Sequence, residues 1–306
     1  MFSEMKEFAK ELHNHFDDLM PEFKPDIIYH YTTVSVLPEF MKDDADFYCT
    51  HCQALNDDDE FVLGLEYVES FISREYEVHS TAFVDKFYRL YEDKWRQPWI
   101  MSFTTKKDSL VQWIAYSDKK EGGYAVGFNY KALRNLVHEN LIASSESFNV
   151  YLLPCLYLHH KVGESVEIDA RADELLSYLL KPLSTELGEF VRRKTFSGGS
   201  GDIESAVFLF ASMVKNASFR YESECRLVIQ PMTRESALSN YKVVGGKPRL
   251  PSTLFHNSGQ LRSMIKSIGI SPHGKHNILL DIADLYKAKY GKGIKVYNSS
   301  SPYNGQ

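Results

Sequence analysis

One run constrains this chain more than any other: Ser218-Phe219-Arg220-Tyr221-Glu222-Ser223-Glu224-Cys225-Arg226-Leu227-Val228-Ile229-Gln230, stopped by Pro231. Its second half is rich in β-branched and aliphatic residues, which predicts a strand that the proline ends. Residues two apart on a strand share a face. Glu222, Glu224 and Arg226 therefore point one way, and Cys225, Leu227 and Ile229 the other. Two readings of the charged row stay open on these residues alone. It is either a solvated sheet face, where Arg226 neutralises Glu224 to little effect, or a site.

The rest of the composition narrows the choice. A net charge of −6 argues against a protein that coats nucleic acid non-specifically, while leaving room for a local basic cleft. With 19 Tyr and 19 Phe the chain has ample material for a core. No stretch has the apolar length of a membrane span, and the acidic start Met1-Phe2-Ser3-Glu4 is unlike a secretory signal. Four cysteines suit a reducing compartment, so a soluble, cytoplasmic protein is expected. Cys49-Thr50-His51-Cys52 has the spacing of half a zinc site, but lacks a second pair, so buried thiols are expected there.

Taken in order, apolar spacing predicts a helix over 3–19, ending before Pro21, and a strand over 27–31. Thr33 is a natural cap for a short helix through Met41. A strand at 47–50, the acidic turn Leu55–Glu60 and helices in two pieces over 59–95 follow. Strands are expected at 99–104, 124–128 and 147–158, with Asp108 capping a helix over 109–116. Helices over 170–193 and 202–216 flank the glycine-rich 196–202. That segment lacks the lysine and spacing of a P-loop and reads as a connector. Strands at 241–244, 265–270 and 294–297, and helices near 259–265 and 275–289, complete a single α+β domain over 1–306. Its helical insertions lie at about 59–95 and 170–216.

Three short pieces then fall on predicted strands: Tyr29-His30-Tyr31-Thr32, Ser102-Phe103-Thr104 and Glu222-Ser223-Glu224. They resemble, in order, the His-Tyr-Thr, Ser-x-Ser/Thr and Glu-x-Glu strands of the ADP-ribosyltransferase superfamily. That superfamily includes RNA 2′-phosphotransferases and nucleic-acid-modifying toxins. Residues 27–304 also resemble an uncharacterised bacterial family. The residues that carry this second likeness are Tyr29-His30-Tyr31, Asn56-Asp57-Asp58-Asp59-Glu60, Ser102-Phe103-Thr104 with Trp113-Ile114-Ala115-Tyr116, Glu222-Ser223-Glu224-Cys225-Arg226 and Ser300-Ser301-Pro302-Tyr303. The resemblance implies a split β-sheet core with helical insertions and NAD as substrate. It also implies a toxin or phage-defence role, with an antitoxin as a possible partner.

It further implies residue roles. Transfer of ADP-ribose passes through an oxocarbenium-like state that needs a carboxylate beside it. Glu224 would stabilise it and hold the ribose hydroxyl, and Glu222 would orient or deprotonate the acceptor. His30, Tyr31, Thr32, Ser102 and Thr104 would bind the cofactor, with Ser102 also holding the catalytic glutamate in place. Tyr116 would stack on nicotinamide, and Arg226 would meet the pyrophosphate. Phe219, Arg220 and Tyr221 occupy the place of a target-recognition loop and suit a nucleobase, so RNA or single-stranded DNA is the expected acceptor, ahead of protein arginine. Arg192-Arg193-Lys194 adds a basic run, equally explained as a solvated helix end. Plain NAD hydrolysis and a non-catalytic binding module are the competing expectations.

Overall fold

The structure is a computed structural model describing residues 2–40, 48–55, 59–78, 81–90, 94–143, 148–159, 162–163, 165–192, 201–239, 242–244, 246–251, 263–291 and 293–302. Its strands are β1 (Ile27–Thr33), β2 (Tyr48–His51), β3 (Trp99–Thr104), β4 (Gly123–Asn129), β5 (Phe148–Pro154) and β6 (Leu156–Leu158). They continue with β7 (Val214–Asn216), β8 (Glu224–Pro231), β9 (Lys242–Val244), β10 (Lys247–Pro251), β11 (Ile265–Ile270) and β12 (Lys295–Asn298). Among the described residues, all but β6 and β7 join one mixed sheet, ordered β12-β11-β4-β1-β3-β2-β10-β9, with β8 on β3 and β5 on β8. β6 and β7 form a separate parallel pair.

Strand β3 is a branch point. Its whole length pairs with β8, from Trp99↔Ile229 to Thr104↔Glu224. Its other edge is shared: β1 meets it at Thr104 and β2 meets it at Ile100 and Trp99. Between these contacts the sheet forks, and Met101–Phe103 have no strand partner on that edge among the described residues.

The strand β8 separates two cores. Cys225, Leu227 and Ile229 pack with Phe128 and Val150, as alternation predicts. Val228, on the opposite face, packs with Phe208 and Phe210. The first core is closed by helices α6 (Tyr130–Ala143) and α10 (His276–Tyr290). The second is closed by α1 (Phe2–Leu19), α3 (Glu60–Glu75), α4 (Thr81–Leu90), α7 (Ala170–Leu180), α8 (Ser184–Arg192) and α9 (Gly201–Met213). Helix α9 is apolar nearly all round, with Val207 through Val214 buried, as expected of a helix enclosed by others. The mixture of helices with a mixed sheet agrees with the expected α+β class.

Several expectations need correction. The predicted strand through Ser218–Gln230 begins only at Glu224; Ala217–Glu222 is a 3-10 turn, and Ser223 is left-handed (φ 45°). The segment expected as a helix to 216 ends at Met213, and the following residues pair as a strand. The long strand at 147–158 breaks at Cys155, whose N–H donates to the Glu224 carbonyl (3.0 Å). Thr33 ends β1 instead of capping a helix, since α2 (Val36–Phe40) starts later. Asp108 does not cap α5 (Leu110–Tyr116); it accepts from Trp113 Nε1 (2.7 Å) and Ser299 Oγ (2.6 Å). The turn at 56–58, most of the glycine-rich segment, residues 259–262 of the helix expected near 259–265, Arg193, Lys194 and Tyr303 lie outside the described residues; Ser263 and Met264 are helical and Ile265 begins β11.

Candidate active site

The charged row on β8 is enclosed: Glu224 is 5% and Arg226 2% exposed, which removes the solvated-face reading. Buried charges need partners, and these have them. Glu224 Oε1 accepts from Ser102 Oγ (2.7 Å) and Arg226 Nε (2.6 Å), and Oε2 accepts from Lys215 Nζ (2.5 Å). Lys215 also meets Glu222 Oε2 (2.5 Å) and Glu60 Oε1 (2.9 Å). Arg226 donates further to the Ser212 carbonyl (2.7 Å) and to Glu60 Oε2. Three carboxylates thus face two cations, and the cluster carries one excess negative charge.

Each member is placed by a local feature. Ser102 lies opposite Arg226 in the β3–β8 register, on the same face. Lys215 lies opposite Tyr157 in the β6–β7 pair, and the Tyr157 hydroxyl accepts from Glu224 N (2.7 Å). Glu222 comes from the 3-10 turn, not from the next pleat. The left-handed Ser223 turns the chain so that Glu222 and Glu224 meet on one ammonium. Glu60 opens α3, which crosses α9 closely: a Cβ on Gly64 would lie 2.5 Å from Ala211 Cα.

The protonation states follow. Burial alone would raise the Glu224 pKa, but Arg226 and Lys215 hold it down to about 2, so it is a carboxylate at neutral pH. Burial and the neighbouring Glu224 push the Glu222 carboxyl up against the pull of Lys215. Burial would lower the Lys215 pKa, but Glu224 and Glu60 raise it above the ordinary lysine value, so it stays charged. Since both glutamates touch the same Nζ, their oxygens lie within about 5 Å of one another, close enough for both carboxyls to act on one sugar.

A cleft of about 1210 Å³ opens in the fork of the sheet beside this cluster, larger than the ~300–1,000 Å³ of common small-molecule pockets. Glu222, Glu224, Arg226, Ser102 and Tyr116 line it from one side. His30, Tyr31 and Thr32 line it from β1. The His30 Nδ1 contacts the Ser102 carbonyl (2.9 Å), which the fork leaves without a strand partner. A carbonyl only accepts, so Nδ1 carries the proton; burial lowers the pKa, and the neutral ring keeps an acceptor at Nε2. Tyr31 packs edge-on against Trp113 (4.6 Å), and its hydroxyl donates to the Lys106 carbonyl (3.0 Å). Tyr116 packs against that aromatic cluster as well as bordering the cleft; burial and Glu224 push its hydroxyl up to about 12.

Other expected residues sit differently. Thr104 is buried outside the lining and donates to the Glu222 carbonyl, tying the turn to β3. Each Arg226 nitrogen donates to a protein acceptor, two of them Glu224 and Glu60, so its guanidinium is fixed within the acidic cluster. Phe219 lies under Lys215 Nζ (5.3 Å) in the lining, and Tyr221, 48% exposed, borders the cleft. Arg220 points away, towards the Tyr157 carbonyl (3.4 Å). Cys49 and Cys52 are buried, and Cys52 Sγ donates to Gln97. No described helix is long and apolar enough to cross a membrane.

Lys215 was not anticipated, and Glu60 only as the end of an acidic turn. The available signal was a single lysine closing the apolar run from Ile203, where it has no route to water and so needs acidic partners. The comparisons with known proteins agree only in part with the expected likeness. Residues 112–227 match the model of a family described as a protein of unknown function (DUF2971). The matched segment carries Tyr116, Lys215, Glu222, Glu224 and Arg226, and leaves His30 and Ser102 outside. No curated protein and no solved structure matches the chain. Over that segment, the chain is similar to a family whose description assigns it no activity.

Proposed function

We propose that the chain is an NAD-dependent ADP-ribosyltransferase with a split-sheet core, whose cleft takes NAD as substrate. The observation that carries this reading is Glu224. It is a buried, ionised carboxylate, aligned by Ser102 and Arg226, in a cluster with one negative charge in excess. Such a cluster stabilises a cation, and the sugar becomes one as its bond to nicotinamide breaks. Glu224 faces the developing positive charge. Lys215 and Arg226 keep it ionised and fixed, so little reorganisation accompanies the reaction. Glu222, whose proton affinity is raised, takes the acceptor's proton. His30 offers an acceptor at Nε2 to a ribose hydroxyl.

Nucleic acid is the proposed acceptor. Tyr221 at the cleft border and Phe219 beside Lys215 offer rings on which a base stacks. The proposed toxin or phage-defence role, with an antitoxin partner, comes from the superfamily resemblance alone. The experiment supplies labelled NAD with total RNA, single-stranded DNA and soluble protein in parallel, at low and moderate salt. Label in a nuclease-sensitive fraction is expected. Label confined to protein and persisting after nuclease would reassign the acceptor to a protein side chain, and nicotinamide release without any labelled acceptor would make the chain an NAD hydrolase.

A further inference from the structure

The acidic cluster occupies one end of the cleft, and the opposite end is basic. Arg249 and Lys247 on β10 both line it. Arg249 is opposite Thr50 on β2, and Thr50 is opposite Ile100 on β3, so these three side chains share the face that carries Ser102 and Glu224. From Ser102 to Arg249 is two strands across and two residues along, roughly 12 Å between Cα atoms.

Arg249 is half-buried, and its hydrogen bond is a neutral one, to Thr50 Oγ1. Among the described residues no carboxylate forms an ion pair with it, in contrast to Arg226, Arg74 and Arg134. Burial lowers its pKa from the ordinary guanidinium value, and its charge is felt at His30. A guanidinium withdrawn from water towards a cleft, with donors left over, is matched by an anion with paired oxygens.

We propose that Arg249, with the Thr50 hydroxyl that orients it, forms an anion subsite for the diphosphate group of a nucleotide. A ligand filling the cleft then carries a diphosphate at the Arg249 end and an electron-poor sugar at the Glu224 end. That the ligand is NAD rests on the reading given above; the anion subsite itself rests on the geometry of β10, β2 and β3. It also places a phosphate contact away from Arg226, whose charge is paired with Glu224 and Glu60.

Calorimetry on the full chain tests this with ADP and inorganic pyrophosphate as probes and adenosine as the uncharged control. ADP is expected to bind more tightly than adenosine, and Arg249→Gln to weaken ADP by about 10- to 100-fold with little change for adenosine. Arg249→Lys, which keeps the charge but not the fork, is expected to fall between. Should Arg249→Gln fail to fold, competition on the wild type decides, since pyrophosphate is expected to displace ADP. Equal ADP affinity in a folded Arg249→Gln protein overturns the subsite, as does absence of ADP binding, or ADP that pyrophosphate cannot displace. Arg249-dependent ADP binding in a protein that releases no nicotinamide from NAD would leave the subsite standing and remove the NAD reading alone.

Discussion

Glu224 draws its character from three donors, Ser102, Arg226 and Lys215, and this has a consequence for stability. Its pKa of about 2 lies below the ordinary glutamate value of 4.5, so between the two it binds fewer protons folded than unfolded. Its stabilising contribution is therefore complete above about pH 4.5 and is lost as pH falls towards about 2. Glu222, whose pKa Glu224 helps to raise, acts in the opposite sense and shifts when Glu224 is replaced, so the comparison is made with Glu222 already neutral. Thermal unfolding from about pH 5 downwards should show Glu222→Gln losing stability more steeply than the Glu222→Gln/Glu224→Gln double variant, by about one proton in the linkage slope. Equal slopes would contradict the assigned ionisation. At this scale the strand-borne residues were legible because alternation on β3 and β8 sets Ser102, Glu224 and Arg226 on one face. Lys215 was not, because the apolar run before it reads as a helix continuing through 216, and a helical period hides the side of the chain on which a lysine emerges.

Elements bring the cluster's distant members together. Gly64 follows Glu60 by one helical turn, and Ala211 precedes Lys215 by four residues, so the α3–α9 crossing sets the distance between the two charges. Gly64→Ala places a methyl against the Ala211 backbone. A cost of about 1–3 kcal/mol is expected from overpacking, together with a looser Glu60–Lys215 contact, measurable by denaturant unfolding. An unchanged midpoint would show that the crossing has slack. The kinks at Cys155 and Ser223 serve the same end, steering β6 beside β7 and Glu222 towards Lys215. No glycine or proline adjoins Ser223 to announce its kink, whereas Pro154 immediately precedes Cys155 and marks the end of β5; both kinks are held by long-range partners. The periodic segments were legible: β3 and β11 match their expected bounds, and α1 differs at one residue. Helix α6 is not among the elements that apolar spacing predicts, although Asn129, which accepts from Ala132 N (2.7 Å), marks its start.

The whole molecule is organised by the fork at β3. Splitting one edge between β1 and β2 exposes the Ser102 carbonyl to His30 and opens the cleft between them, with an acidic wall on β8 and a basic one on β10. That polarity depends on strand order, which local sequence does not encode, so nothing around Arg249 in the sequence places it in the same cleft as Arg226. The proposed role of Glu224, stabilising positive charge on the sugar of NAD, is tested most directly by nicotinamide release in single turnovers at saturating NAD. A Glu224→Gln protein whose circular dichroism and NAD affinity match the wild type should release nicotinamide at least about 100-fold more slowly, because the amide keeps the shape and loses the charge. Release at the wild-type rate from that folded, NAD-bound variant would contradict that role.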